Sequence, residues 1–281
     1  DGRFDRVARA DADGNQVQES DESGDGRVDT WIVAAPDGTV LERREDRDAD
    51  GEPEVKIQYK DGKPLALVQA GGGAVSQTYD EQGNVAEEQR DTTGDGRIDT
   101  WIRFAGGRPV REVRDTRGDG KPDVLTLFDA EGRATTQERI EGNGARPDEK
   151  LLLAADGSVT AQCLDTNGDG RFDARARVEG GQVVEAVLDT TGNGIGDQRE
   201  VYEGGARVRL DADTNRDRKP DVIQHLSGDA VVQQDEDTDF DGRIDRVFRG
   251  QQLVPSAAGG PVPPAFGPLD CGSVDPFWTR R

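Results

Sequence analysis

A chain of 281 residues with a net charge of −22 repels phosphate and does not read as a nucleic-acid binder. Only 32% of it is hydrophobic and 37 residues are glycine, near twice the usual share of roughly 7%, which excludes a thick globular core and favours a thin sheet or an elongated repeat array. No apolar run approaches the roughly 18 residues that a bilayer-spanning helix requires.

The chain opens on Asp1-Gly2-Arg3-Phe4-Asp5, the second half of an acidic loop. That start predicts a fragment of a longer protein whose targeting segment lies elsewhere. Whole loops of nine residues follow. The first offers Asp21, Ser23, Asp25 and Asp29, and the second Asp46, Asp48, Asp50 and Glu54. A third place has shrunk to Ala70-Gly71-Gly72-Gly73, with Ala74 where the last acid belongs. Then come Asp91, Thr93, Asp95 and Asp99; Asp115, Asp119 and Asp123, with Arg117 at the third position; and Glu141–Asp148, which has lost a residue and its central acid. Four more follow: Asp165, Asn167, Asp169 and Asp173; Asp189, Asn193 and Asp197; Asp213, Asn215, Asp217 and Asp221; Asp237, Asp239, Asp241 and Asp245. Arg218 takes the glycine position of the loop ending at Asp221.

The last acid of each loop recurs about every 24 residues, a period held from Asp5 to Asp245. Midway between loops lies a weaker turn, such as Pro36-Asp37-Gly38, Gly106-Gly107 or Gly204-Gly205, which suits a tight hairpin. The segments between turns run five to seven residues and alternate in polarity, as strands do. Val55, Ile57 and Tyr59 share one face, whereas Lys56 and Gln58 share the other, together with Trp31 and Trp101. The sequence therefore predicts an all-β protein of tandem antiparallel hairpins, roughly 22 strands in an elongated or superhelical sheet, with acidic loops along one edge. A β-propeller with two repeats per blade is the alternative. The array covers 1–250, and a Pro/Gly-rich tail covers 251–281. That tail reads either as a linker or as a strap that packs Phe277 and Trp278 on the last repeats. Cys163 and Cys271 are either one disulfide or two free thiols.

Oxygen ligands at alternate positions around a sharp glycine turn suit calcium, whereas magnesium demands a stricter octahedron. Asp165-Thr166-Asn167-Gly168-Asp169-Gly170-Arg171-Phe172-Asp173 resembles the first nine positions of an EF-hand calcium loop. The resemblance implies Asp165, Asn167 and Asp169 as side-chain ligands, the Arg171 carbonyl as another, and Asp173 as a direct or water-mediated one. It ends there: Arg175-Ala176 stands where the EF-hand carries its twelfth-position Glu, and the flanks read as strands. The repeated D-x-D-x-D-G-x-x-D form is similar to thrombospondin type 3 repeats. The context Thr78-Tyr79-Asp80-Glu81-Gln82-Gly83-Asn84 resembles the YD repeats of Rhs-type surface proteins. About eight calcium ions are expected, and they would bring the charge from −22 to −6. The plain alternative is a set of polar β-turns, and recurrence of the first, fifth and ninth acids argues against it.

Other candidates are weak. Arg117-Gly118-Asp119 spells a cell-attachment tripeptide, but its Asp is a loop ligand. One histidine, His225, assembles no catalytic triad, and no enzyme is expected. The expected function is a calcium-stabilised structural or adhesive repeat protein of a bacterial cell surface or extracellular fibre. Its partners would be calcium ions, other surface proteins or polysaccharide, with self-assembly open. The alternative is a glycan- or protein-binding module that uses the face of Trp31 and Trp101.

Overall fold

The computed structural model describes residues 6–70, 73–141, 146–254 and 259–279. The Asp5 marker, Gly71, Gly72 and the middle of the Glu141–Asp148 loop lie outside the described residues. Among those residues the chain forms 22 strands, paired antiparallel, and one short helix. It divides into two compact units, Asp1–Gly132 and Arg133–Arg281.

The first unit holds β1 (Arg6–Ala10), β2 (Gln16–Ser20), β3 (Thr30–Ala34), β4 (Val40–Glu45), β5 (Val55–Lys60), β6 (Lys63–Gln69), β7 (Val75–Tyr79), β8 (Val85–Arg90), β9 (Thr100–Ala105), β10 (Arg108–Arg114) and β11 (Val124–Phe128). The second holds β12 (Ala134–Arg139), β13 (Glu149–Leu153), β14 (Val159–Leu164), β15 (Ala174–Glu179), β16 (Gln182–Leu188), β17 (Gln198–Glu203), β18 (Ala206–Ala212), β19 (Val222–Ser227), β20 (Ala230–Glu236), β21 (Arg246–Arg249) and β22 (Gln252–Leu253), then α1 (Pro276–Thr279). Within each unit every strand pairs with the next, so the ladder is continuous. A propeller would break it into separate four-stranded blades, and that alternative falls.

Glycine turns and acidic loops alternate as connections. The ladder reaches into the loops: Asp46 N–H donates to the Asp29 carbonyl at 2.9 Å, and Asp99 N–H to that of Arg90 at 2.9 Å. At the shrunken loop Ala70 N–H bonds the Glu54 carbonyl and Asp91 N–H bonds that of Ala74, so Ala74 does occupy the vacant place in the repeat. Toward the hairpin turns the register slips. Val33 pairs Glu42 while Ala34 pairs Val40, which leaves Leu41 as a bulge residue. Leu65 and Val232 are left over in the same way. All three are among the exposed large apolar side chains. A bulge steps a side chain out of the two-residue alternation, so strand periodicity alone misassigns them.

β5 shows the expected alternation, with Val55 buried and Lys56 and Gln58 exposed. The rest of the core departs from it. Residues of the opposite face form a row that crosses the second unit strand by strand: Glu138, Lys150, Cys163, Arg175, Val187, Arg199, Asp211, Ile223, Asp235 and Val247, each directly opposite the next. Cys163, Asp211, Ile223 and Val247 in that row are buried. The supposedly outer face is thus an inner one there, because the tail lies across it.

Candidate functional site: acidic loops and a strap

Each acidic loop is closed by its own backbone. In the loop Asp91–Asp99, the Asp91 carboxylate accepts the N–H groups of Gly94 at 2.6 Å and Gly96 at 2.8 Å. Asp99 accepts those of Thr92 at 2.9 Å and Thr93 at 3.1 Å, and Asp95 accepts that of Arg97 at 2.9 Å. The same three-part scheme recurs at Asp21, Asp29 and Asp25. Burial pushes the Asp91 carboxyl up, but the N–H groups of Gly96 and Gly94 outweigh it and leave it below its usual value. Asp99 is depressed likewise, burial being overcome by the Thr92 and Thr100 hydroxyls. The third-position oxygens cap too: Asn167 Oδ1 accepts Asp169 N–H at 2.9 Å, and Asn215 Oδ1 accepts Asp217 N–H at 2.7 Å.

The hydrogen bonds from the fourth and sixth residues to the first acid set their backbones. Both positions are left-handed: Gly94 has φ 77° and Gly96 φ 85°. Sequence reasoning caught the sixth-position glycine and missed the fourth, although Gly24, Gly94, Gly118, Gly168 and Gly192 all stand there. Non-glycine residues are forced into the same region at Ala49, Arg216, Arg218 and Phe240.

Among the described residues, three groups bring at least three carboxylates together, with one oxygen from each within 4.8 Å of the others. They are Asp46, Asp48, Asp50 and Glu54; Asp213, Asp217 and Asp221; and Asp237, Asp239 and Asp245. Asp241 lies outside its group, and the other five expected loops do not gather three acids in this way. In the first group the Asp50 N–H pulls Asp48 down, but desolvation and the charges of Asp50, Glu54 and Asp46 together lift it above its usual value. In the other two groups an oxygen is stranded. Asp221 and Asp237 are each 2% exposed, and Asp221 Oδ1 and Asp237 Oδ1 have no hydrogen-bond partner. Asp221 receives Thr214 and Asn215 on Oδ2 alone, and Asp237 receives Gly242 on Oδ2. The loop 115–123 differs: Arg117 Nε sits 3.1 Å from Asp123 Oδ2 and 3.8 Å from Asp119 Oδ2, so a guanidinium supplies the positive charge.

The tail is a strap. From β22 it turns back over the second unit, where Ile244 N–H donates to the Gly260 carbonyl and Val262 N–H to that of Gly242. Val262 packs on Ile223, Ile244 and Val247. Phe266 N–H reaches the Arg218 carbonyl, and Gly196 N–H reaches that of Gly267. The Phe266 ring lies 4.9 Å from the Arg199 guanidinium, which also donates to the Pro264 carbonyl at 3.1 Å. Cys271 is bonded to Cys163, 108 residues earlier. Lys150 Nζ donates to the Ser273 carbonyl at 2.8 Å and pairs with Glu138 at 3.2 Å, both side chains buried. Trp278 Nε1 closes the strap on Glu138 Oε2 at 2.8 Å. Of the two sequence readings of the tail, the strap holds. Its aromatic end is anchored on β12, the first strand of the unit, and not on the last repeats, because Glu138 is the buried acceptor that the indole N–H requires.

The first unit carries the equivalent row: Val7, Glu19, Trp31, Arg44, Lys56, Val68, Ser76, Gln89, Trp101, Val113 and Leu125. Trp31 lines a groove of about 590 Å³ with Val33, Leu41, Arg44, Tyr59 and Leu65. Leu41 and Leu65 reach it as bulge residues.

No family model matches the sequence, and no curated protein matches it. Among solved structures the chain is similar to the Tc holotoxin pore of Photorhabdus luminescens, at 9% identity over 88% of this chain and 17% of that one, with a TM-score of 0.24. It is similar to TcdB2-TccC3-TEV at 12% identity over 89% and 14%, with a TM-score of 0.23. A third similarity is to a TarM mutant of S. aureus, at 9% identity over 47% and 21%, with a TM-score of 0.21. The chain spans about a fifth or less of the length of each of these structures. Superpositions this loose carry no argument about function.

Proposed function

We propose that the chain is a calcium-stabilised, non-catalytic β-repeat array, a structural or adhesive element that works outside the cell, on a bacterial surface or in a fibre. The stranded oxygens carry the reading. Asp221 Oδ1 and Asp237 Oδ1 are buried without a partner inside groups of three carboxylates. A buried acceptor left unmet costs about 1–3 kcal/mol, and more when charged. A hard cation removes that cost at both. Two oxygens on opposite sides of calcium, each 2.3–2.6 Å away, lie about 5 Å apart, and in each of the three groups the acids can offer oxygens no farther apart than 4.8 Å. The loops fit an ion in a second way. The N–H bonds to the first, third and fifth positions orient those side chains before any ion arrives. The disulfide is of the kind kept in oxidising compartments, where calcium is also plentiful.

Dialysis against a chelator, followed by thermal melting and calcium titration, tests this reading. Melting temperature should fall on chelation and recover with calcium but not with equimolar magnesium. The tightest sites should be those of Asp46–Glu54, Asp213–Asp221 and Asp237–Asp245. An unchanged melt and no calcium uptake sink the proposal. A second reading, a binding module, is favoured by one observation: the bulges turn Leu41 and Leu65 outward into the groove beside Trp31, among charged and polar side chains such as Arg44, Glu42 and Gln58.

A further inference from the structure

We infer that the strap regulates two of the calcium sites. Docking of residues 259–268 and ion binding at Asp213–Asp221 and Asp237–Asp245 favour each other, and the Cys163–Cys271 bond raises the affinity of both loops by keeping the strap in place. The inference rests on the calcium reading and adds a regulator to it.

The strap seats on the turn half of three successive loops. In the loop 237–245 the sixth residue, Gly242, accepts Val262 N–H on its carbonyl at 3.1 Å, and the eighth, Ile244, donates its N–H to the Gly260 carbonyl at 2.8 Å. The Ile244 carbonyl in turn accepts Gly259 N–H at 2.6 Å, and its buried side chain packs with Val262. In the loop 213–221 the sixth carbonyl, that of Arg218, accepts Phe266 N–H at 2.6 Å. The eighth residue there is Pro220, which has no N–H to give. In the loop 189–197 the eighth N–H, that of Gly196, reaches the Gly267 carbonyl at 3.1 Å.

These contacts fix the frame that carries the ligands. Within the two loops the seventh N–H already rests on the fifth acid: Lys219 on Asp217 Oδ1 at 2.8 Å, and Arg243 on Asp241 Oδ1 at 2.9 Å. The strap takes the sixth carbonyl, so the peptide between positions six and seven is pinned at both ends. The next peptide follows from planarity, since C=O and N–H of a trans peptide point opposite ways. With Ile244 N–H turned to Gly260, the Arg243 carbonyl points away from the strap. It is the counterpart of the Arg171 carbonyl, the seventh-position ligand that the calcium-loop resemblance implies. A frame already fixed loses less freedom when the ion arrives.

The loop 46–54 supplies the contrast. Its Glu52 N–H rests on Asp50 at 2.7 Å in the same way, but among the described residues the strap's backbone hydrogen bonds all fall on the second unit. Both oxygens of Asp46 are met by N–H groups, from Ala49 and Gly51. The buried, unpartnered oxygens, Asp221 Oδ1 and Asp237 Oδ1, belong to loops on which the strap seats. Those two loops are also joined to each other, Asp237 N–H donating to the Asp221 carbonyl at 2.9 Å. Coupling of this kind is reciprocal: what docking does for the ion, the ion does for docking. The disulfide enters because Cys271 follows closely on Pro268, which bridges Ile195, and its bond to Cys163 makes redocking of a released strap a local event.

Hydrogen exchange, followed loop by loop during calcium titration, tests the coupling in the full, disulfide-bonded chain and in its Cys163→Ser, Cys271→Ser variant. The calcium midpoint at 213–221 and 237–245 should rise by about tenfold in the variant, while that at 46–54 stays where it is. In the parent chain calcium should also slow exchange at the Val262 and Phe266 amides. A Phe266→Ala chain with the disulfide intact gives the same readout if the cysteine variant does not fold, since it alters the strap and no loop acid. Midpoints that stay put, midpoints that move equally at all three loops, or strap amides indifferent to calcium overturn the inference and leave the calcium reading standing. Calcium uptake at none of the loops overturns both.

Discussion

The two units are made from the same repeat, yet they bury different amounts of the same row. In the second, Cys163, Ile223 and Val247 lie under a strap that begins after β22 and ends on Glu138. In the first, Val113 and Leu125 at the end of the equivalent row are buried, but Val7 and Val68 are exposed, and Trp31 and Trp101 only half-covered. Sheet pairing is equally complete in both. What differs is closure between distant strands. A hairpin ladder ties each strand only to its neighbours, so its stability is a sum of nearest-neighbour terms. The strap adds contacts from β21 back to β12, which oppose local opening across the whole second unit.

The largest expected effect comes from cutting that tie. The bond between Cys163 and Cys271 closes 108 residues of chain, a span for which cross-linking is worth about 4–5 kcal/mol. A Cys163→Ser, Cys271→Ser double variant should lose most of that, measured by denaturant unfolding. Hydrogen exchange should quicken from β12 to β22 and stay unchanged from β1 to β11. Equal quickening in both units would mean that the strap does not distinguish them.

That asymmetry was only partly legible in the sequence. The repeat was legible because glycine must stand wherever the backbone turns left-handed, and turns set the period. Strand number and pairing followed. The face that each strand buries was not, because in the second unit it depends on residues far away in the chain: Lys150 on the carbonyl of Ser273, Glu138 on the indole of Trp278. Local polarity marks Glu138, Lys150 and Arg199 as solvent-facing, and the strap overrides it. The acidic loops were legible as closed turns. Which of them gather their carboxylates was not, since spacing is common to all of them. Arg218 stands at a glycine position, yet its loop is one of the three that converge. In the loop 115–123 Arg117 answers Asp123 directly, a pairing that the loop spacing did not show.

A smaller effect probes the loops themselves. Those of the first unit place glycine at nearly every left-handed position, whereas the second carries Arg216 at φ 71°, Arg218 at φ 75° and Phe240 at φ 63°. A side chain in that region costs about 1–2 kcal/mol, so Gly96→Ala should destabilise the first unit by roughly that amount. Arg218→Gly should stabilise the second by less, about 0.5–1 kcal/mol, because glycine gives back part of the gain as unfolded-chain entropy. Chemical denaturation of the single variants measures both. A neutral Gly96→Ala would show that the loop relaxes out of the left-handed region, and the hydrogen bond from its N–H to Asp91 would then not be what shapes the turn.

The smallest effect separates the units by acid. Hairpin turns of the first unit hold Asp11, Asp37 and Asp80 below the usual carboxylate value, through the Asn15 amide, the Thr39 N–H and the Asn84 N–H respectively. In the second unit Asp156 is held down by the Ser158 hydroxyl, while the turns at Gly180-Gly181 and Gly204-Gly205 carry no acid. A carboxyl whose pKa is lower in the fold than in the unfolded chain contributes stability above the unfolded value. The contribution is lost as pH falls through the lower folded value. Stability from these turns should therefore be level from neutral pH down to about 5 and decline below about 4. The first unit should open ahead of the second. Exchange measured strand by strand in excess chelator, so that calcium release adds nothing, reads the order. Converting Asp80 to Asn should flatten the decline at β7 and β8 alone, because the amide oxygen still accepts the Asn84 N–H but no longer titrates. A decline that persists there would place its origin in the loop acids Asp91 and Asp99, which are depressed in the same direction.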